Sequence, residues 1–460
     1  MYLFKRLILG LHWYSWQQVV NYQPTFLPKT DLPMQDETAV QWPLWRKVIF
    51  RFTAIYLGFY LSFLQWMGNL PVISTFTELY NEVEKLLVEW GNHTIFHVKD
   101  VLVPMGGSGD TSYGYAQLCF FALASILGTV IWSVFDRRKN YDKAYHWLMV
   151  ILRYYIAMIA FTYGLIKVFG FQMSFPSLSQ LATPLGDFLP MRFSWLFIGY
   201  STPYQFFSGA AEVLVGILLL YRRTAVLGAF LAVGVFLNVA VLNLCYDIPV
   251  KLFSIHMFVF SNILLLADAK RLLNFFVLNK PAPPTLSFTL PEKWMRIGRI
   301  VLKTAFVVIF AVVPFYSMYQ SLHQVNVASP TNKPITTGMF EVVSFEAGGR
   351  MNEDSLRWKD IVFEDYNGGS ILTTDTLFRQ RYNRAYFAYV TDSLKQNISF
   401  KKRSGDSLSL FTLQYSMPDT NQLLLKGKIN KDSLKVVLKR RRRNFQLAER
   451  QFHWLSEDNR

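Results

Sequence analysis

Polar side chains set within long apolar runs are the first candidates for chemistry in this sequence. Between residues 204 and 268 three apolar segments follow one another with turns of only a few residues. They carry Glu212, Asn238, Asn243, Lys251 and His256. Tyr204, Ser208 and Glu212 recur at four-residue spacing, so on a helix they share one face that drifts by about 40° per step. Glu212 lies ten residues before Arg222, well inside the apolar stretch, where a carboxylate costs about 3 kcal/mol or more unless it is protonated or paired. Lys167, near the end of the preceding apolar segment, is its expected partner, followed by Asn238 and His256. Two roles are open to such a set. It can handle protons or bind a ligand oxygen, with Lys167 and Glu212 as the reacting pair, or it can fix helix packing.

The residues expected to line a binding site around that pair are Tyr204, Ser208, Asn238, Asn243, Asp247, Lys251 and His256. Asp247 and Lys251 stand four apart across Pro249, a spacing that also suits a plain structural ion pair. His93 and His97 have a metal-competent i, i+4 spacing, but no glutamate follows the first histidine and any third ligand must come from Asp100, Asp110 or further away, so no metal site is assigned. Cys119 and Cys245 lie in apolar segments without a C-x-x-C pattern and read as small packed hydrophobes.

The elements that must position these residues are membrane helices. Hydrophobic residues make up 52% of the 460 positions and charged residues only 17%, and the mean hydropathy is +0.21, too apolar for an ordinary soluble protein. Seven segments have the length and apolarity of a span: 48–67, 113–135, 147–169, 193–221, 224–245, 250–266 and 300–318. The fourth is broken by Ser201-Thr202-Pro203, where a kink or a new helix is expected. The sequence thus predicts an all-α transmembrane bundle over 47–320, preceded by an amphipathic interfacial segment over 1–46.

The net charge of +16 sits mostly in alternate short loops. Arg137, Arg138, Lys139 and Lys143, then Arg222 and Arg223, then Lys270 through Arg299, all fall on one side. Loops 68–112, 170–191 and 246–249 are poor in Lys and Arg. That asymmetry predicts a cytoplasmic N-terminus and a C-terminus outside, with the lipid bilayer as the partner of the basic loops. Nucleic acid is not expected, because no basic patch joins a reading motif. In the first outside loop a helix is expected around 76–97, with Asp110 as N-cap of the next span. The connection 170–192 is expected to lie over the bundle mouth as a lid.

From about residue 336 the pattern changes to short alternating segments separated by turns, the last two forming a hairpin around Asn430-Lys431-Asp432. Residues 376–388 fit a helix or a strand. The expectation for 336–460 is an all-β, partly closed, barrel-like extracytoplasmic domain. The run Lys439-Arg-Arg-Arg-Arg443 reads as a solvated edge or as a contact for lipid phosphates or anionic envelope polymers.

Certain motifs also carry a resemblance. Gly164-Leu-Ile-Lys167, Gly209-Ala-Ala-Glu212 with Gly216 and Leu-Leu-Leu-Tyr-Arg-Arg, Gly228, and Asn243-Leu-Cys-Tyr-Asp-Ile-Pro-Val-Lys251 make residues 145–273 similar to DoxX-like integral membrane proteins. More distantly, the helix bearing Lys167 resembles the lysine-bearing helix of vitamin K-dependent γ-glutamyl carboxylases and HTTM proteins, with Ile166 where that family has a first lysine. The resemblance implies an inner membrane of a Gram-negative bacterium, a quinone as cofactor, and Lys167 as a base toward it. The combined expectation is redox-associated or proton-transfer chemistry at a polar intramembrane site. The rival is a non-catalytic scaffold presenting a periplasmic β-domain, through 336–460, to a membrane or periplasmic protein partner.

Overall fold

The described residues up to Val327 are mostly helical. The computed structural model describes residues 41–62, 71–104, 110–282, 292–327, 334–348, 350–351, 357–429 and 432–450. Most of the interfacial segment expected over 1–46, the glycine-rich residues 105–109 and the hairpin residues 430 and 431 lie outside them.

In chain order the longer helices are α1 (Leu44–Leu61), α2 (Pro71–Gly91), α3 (Ser112–Phe135) and α4 (Asp142–Val168). After a connection holding the short α5 (Leu178–Leu181) come α6 (Pro190–Tyr200), α7 (Thr202–Leu220), α8 (Ala225–Cys245), α9 (Lys251–Leu266) and α10 (Ala269–Phe276). Helices α11 (Lys293–Val307) and α12 (Val313–Val327) are joined by a π-helical turn, Val308–Val312. Among the described residues, five helical runs are long and apolar enough to cross a membrane: α3, α4, α7, α8 and Lys293–Gln324. Helices α9 and α10, bent by 76° at their junction, add a sixth if they form one span. On α3 the outward-facing Ile126, Val130, Ile131, Val134 and Phe135 form the apolar belt that lipid requires.

Two sequence expectations change in detail. The long fourth segment is two helices. Ser201 ends α6 and caps α7, its Oγ accepting the Tyr204 N–H at 3.3 Å, with Pro203 in the first turn. Asp110 does not cap α3; Thr111 does, accepting from Gly114 N–H at 3.3 Å. The Asp110 carboxylate instead receives the N–H groups of Lys251 (2.7 Å) and Leu252 (2.9 Å), closing the N-terminus of α9 some 140 residues away. Local spacing shows that a carboxylate suits a helix start, but not which start it reaches.

The bundle core joins α1, α4, α7, α8 and α9 through Leu57, Leu152, Ile156, Val215, Leu219, Phe236, Met257 and Phe260. In the first half of α1, Arg51 is buried and donates to Tyr141 Oη (2.6 Å), Ser133 Oγ (2.7 Å) and Asp136 O (3.1 Å). Nearby, Trp42 N–H donates to Lys139 O at 3.0 Å.

Among the described residues, the C-terminal region has ten strands: β1 (Gly338–Ala347), β2 (Arg350–Met351), β3 (Asp360–Phe363), β4 (Gly368–Ile371), β5 (Arg379–Arg381), β6 (Arg384–Asp392), β7 (Asn397–Lys401), β8 (Phe411–Asp419), β9 (Gln422–Ile429) and β10 (Asp432–Arg440). All pair antiparallel, and β10 pairs back onto β1 from Phe340 opposite Arg440 to Ala347 opposite Leu434. The barrel is therefore closed rather than partly closed, with eight strands in the ring and β2 and β5 off it. Closure leaves no unpaired edge in the ring. Residues 376–388 resolve into a turn, β5 and the start of β6. Trp358, Phe340, Phe363, Phe378, Phe387, Phe400 and Phe411 fill the interior, so the barrel is a packed core and not a channel.

Strands β3 and β4 are buried on both faces. Their inner residues, such as Ile361 and Phe363, enter the core, while the outer face of β3 packs against α5. Glu364, just past β3, accepts the Ser179 N–H at 2.7 Å and the Leu178 N–H at 3.3 Å. The β5–β6 turn also reaches the connection. Tyr382 (φ 56°) and Asn383 (φ 54°) both adopt left-handed backbone, the geometry of a type I′ hairpin and a strained one for tyrosine. In that pose Tyr382 Oη accepts from Arg192 Nε at 2.9 Å, its ring meets Phe188 edge-on at 5.2 Å, and Asn383 Nδ2 donates to Asp187 at 2.7 Å.

Candidate functional site

Two glycines decide how closely α4 and α7 approach. A Cβ on Gly209 would fall 2.6 Å from Gly164 O and 2.7 Å from Val168 N, and one on Gly164 would meet Gly209 O at 2.9 Å. Only glycine on both sides lets the two backbones touch. Further along, Gly216 lies against the Phe161 ring, so rising numbers on α7 meet falling numbers on α4 and the helices are antiparallel. Helical side chains lean toward their own N-terminus. Lys167 and Glu212, each three residues past a crossing glycine, therefore lean toward one another.

They form a buried ion pair, Lys167 Nζ donating to Glu212 Oε1. The exposures are 8% for Lys167 and 2% for Glu212, so desolvation of both charges has to be repaid by pairing and hydrogen bonding. It is repaid only in part. Glu212 Oε2 is buried and has no hydrogen-bond partner among the described residues.

That carboxylate lines a cavity of about 390 Å³ between α4, α6, α7, α8 and α9. Lys167, Glu212, Tyr204, Ser208, Asn238 and Asn243 all contribute to its wall. Asn243 is buried and also donates to Val250 O at 3.4 Å. Aromatic and apolar side chains make most of the remainder, including Tyr163, Phe193, Trp195, Phe236 and Phe253. Gln172 Oε1 and Ser194 Oγ are two further buried polar atoms in the wall that lack partners among the described residues.

Three of the residues expected from the sequence lie outside this lining. Asp247 and Lys251 pair with each other at 2.7 Å at the end of the bundle, with Asp110 3.9 Å from the same ammonium. His256 turns toward α1. Its Nδ1 is 2.6 Å from Leu252 O, an acceptor only, so Nδ1 carries the proton and Nε2 accepts from Tyr56 Oη at 2.6 Å. Its ring stacks on Tyr60 at 4.2 Å, and both nitrogens are satisfied. His93 and His97 stand at the end of α2, and among the described residues no three metal-ligating side chains come together.

Sequence reasoning missed Tyr163, although it stands one turn before Lys167 on the same face. It also missed Ser194 and the aromatic residues of α6, for which no local signal exists. The expected lid, 170–192, reaches the cavity through Gln172 and Met173. Gln205, buried on α7, stands with its side-chain amide 2.7 Å from Met173 O and 3.1 Å from Met173 N, and the amide orientation that satisfies both donates to the O and accepts from the N. The lid thus has cavity-lining residues at one end and barrel contacts at the other.

A protein of Bacillus subtilis (strain 168), uncharacterized protein YwoB, is 35% identical to this sequence over 124 residues, which cover 27% of this chain and 79% of that protein. This chain belongs to the YwoB family. The YwoB match is too short to span both the helical region and the barrel in full. No family model matches the sequence, and no solved structure matches it.

Proposed function

We propose that this chain is a seven-span, DoxX-like protein of a bacterial inner membrane whose cavity binds a quinone or a similar amphipathic ring compound and exchanges protons with it. The observation that carries this reading is the buried, unpartnered Oε2 of Glu212, a residue in the wall of an aromatic cavity beside Lys167. A buried carboxylate oxygen without a donor is destabilising by about 1–3 kcal/mol or more, and a ligand hydroxyl removes that penalty. The residues fit such a ring. Tyr163, Phe193, Phe236 and Phe253 offer flat apolar surface, while Lys167, Ser194 and Gln172 place polar atoms in the same wall. A quinone supplies two ring oxygens that take up protons on reduction and release them on oxidation. With such a ring bound, Lys167 would donate to one of its oxygens, Glu212 would hold the ammonium in place and offer Oε2 to a hydroxyl proton, and the aromatic wall would exclude bulk water.

Two sets of contacts support seven spans with the barrel outside, in the periplasm. Trp42, just before α1, and Arg51, in its first half, tie the helix to residues 133–141, whereas Phe59 near its C-terminal end stacks on Phe121 in the first half of α3. Helix α1 therefore runs back along α3. Its 18 residues extend about 27 Å at 1.5 Å each, close to the hydrocarbon thickness of about 30 Å. The barrel also hydrogen-bonds the connection between α4 and α7, so the chain between them crosses an even number of times. Helices α7, α8, the bent α9–α10 pair and the α11–α12 run make four crossings; omitting the bent pair leaves three.

The barrel–lid bonds favour one second reading, a scaffold that holds the barrel rigidly for a membrane or periplasmic protein partner. The test is purification in mild detergent followed by solvent extraction, absorbance and mass spectrometry. Wild type is expected to carry quinone, and Lys167→Ala and Glu212→Gln to lose about tenfold or more of it, in line with a charged hydrogen bond of about 1.5–3 kcal/mol. A quinone-free wild type whose function survives both substitutions leaves only the scaffold.

A further inference from the structure

A second site lies at the opposite end of the bundle. Where the first half of α4, the α7–α8 turn and α11 meet, four cationic side chains and the His146 imidazole converge. Arg153 of α4 interacts electrostatically with His146, Arg222 and Lys303, and Lys303 also with Arg299. His146 and Arg153 are two turns apart on one helix face. Lys303 Nζ stands 3.6 Å over the Tyr221 ring, next to Arg222, and Tyr154 packs edge-on against Phe306 at 5.0 Å, which brings α11 against α4. Arg153 Nε is buried without a hydrogen-bond partner among the described residues. Arg153, Arg222, Arg299 and Lys303 make no ion pair with a described carboxylate.

The rule that places cations on one side of a membrane is met by side chains spread over the loops. It does not require them to converge, and convergence of like charges beside apolar helices is unfavourable until an anion joins them. The surroundings identify the anion. Helix α11 buries no side chain, yet Ile297, Ile300, Val301 and Leu302 expose apolar surface beside the cluster. A free phosphate has no use for that surface, whereas acyl chains do.

We infer that this cluster binds the headgroup of one anionic phospholipid, its phosphate held among Arg153, Arg222 and Lys303 and its acyl chains laid along the seam between α4 and α11. The site is separate from the Lys167–Glu212 cavity, and a lipid there fastens the loosely packed α11, and with it the chain leading to the barrel, onto the bundle.

The test uses the full chain in detergent, with native mass spectrometry against phosphatidylglycerol and phosphatidylcholine at equal concentration. Wild type is expected to retain one phosphatidylglycerol with a preference of about tenfold or more, since each nearby Lys or Arg adds about 1 kcal/mol toward an anionic lipid. The triple variant Arg153→Gln, Arg222→Gln, Lys303→Gln is expected to bind both lipids alike. A control triple, Lys139→Gln, Lys143→Gln, Lys280→Gln, exposed cations on the same side, keeps the preference. Equal retention of both lipids by wild type, equal loss in the two triple variants, or displacement by millimolar inorganic phosphate overturns the inference. If the cluster variant does not fold, wild type alone decides. Its melting temperature must rise with phosphatidylglycerol, saturating at one per chain, and not with phosphatidylcholine; no such rise overturns the inference.

Discussion

Two buried ion pairs, one in each half of the molecule, have opposite completeness. In the barrel, Arg384 is 0% exposed and its guanidinium spans both oxygens of Asp360, at 2.5 and 3.3 Å, with Nε on Ser370 Oγ at 2.9 Å. Every strong group has a partner, as a structural pair in a dry wall requires. In the helical region Lys167 reaches one oxygen of Glu212, the other oxygen has no partner among the described residues, and the residue stands in the wall of a cavity. Burial alone does not mark a site. An unfinished hydrogen-bond set next to empty volume does.

The comparison is sharpest in stability. Arg384→Ala strands Asp360 in the barrel wall and is expected to destabilise the C-terminal region by about 3–5 kcal/mol, measured by denaturant unfolding. Glu212→Gln leaves the Lys167 ammonium without a counter-ion but keeps a hydrogen-bond acceptor for it, and is expected to lower stability by less, about 2 kcal/mol, while weakening the proposed ligand binding. Equal losses in the two variants would make the helical pair as structural as the barrel pair.

The join between the regions gives a smaller effect. Glu364→Ala removes the acceptor for Leu178 and Ser179 N–H, a loss of about 2 kcal/mol for charge-assisted bonds. Hydrogen exchange at those two amides should then rise about thirtyfold, while the barrel's own melting stays put. Exchange unchanged at both positions would mean that the carboxylate does not tie barrel to lid.

The smallest effect lies in the loop after α3. Asp136 accepts from Trp132 Nε1 (2.8 Å), the Arg138 N–H (2.9 Å) and Tyr141 Oη (3.1 Å), and these donors, Trp132 first, hold its carboxyl below the usual carboxylate range. A carboxylate with a lowered folded-state pKa contributes stability above its unfolded pKa of about 4 and loses it as pH falls further. Amide exchange in residues 136–141 should therefore rise on acidification below about pH 4, and Asp136→Asn should abolish that pH dependence.

Much of this was legible in the chain itself. Apolar runs, strand alternation, the change of character near residue 336 and the Lys167–Glu212 partnership follow from hydropathy and period, because transfer free energy adds up residue by residue along a segment. Tertiary structure alone decided the pairings between distant residues. Asp110 reaches α9 rather than its own helix, His256 turns to Tyr56 and away from the cavity, β10 closes on β1, and Glu364 reaches back to Ser179. Each depends on how closely and at what angle elements cross. At Gly164 and Gly209 the sequence permits a backbone contact, but only the assembled fold shows which helix makes it.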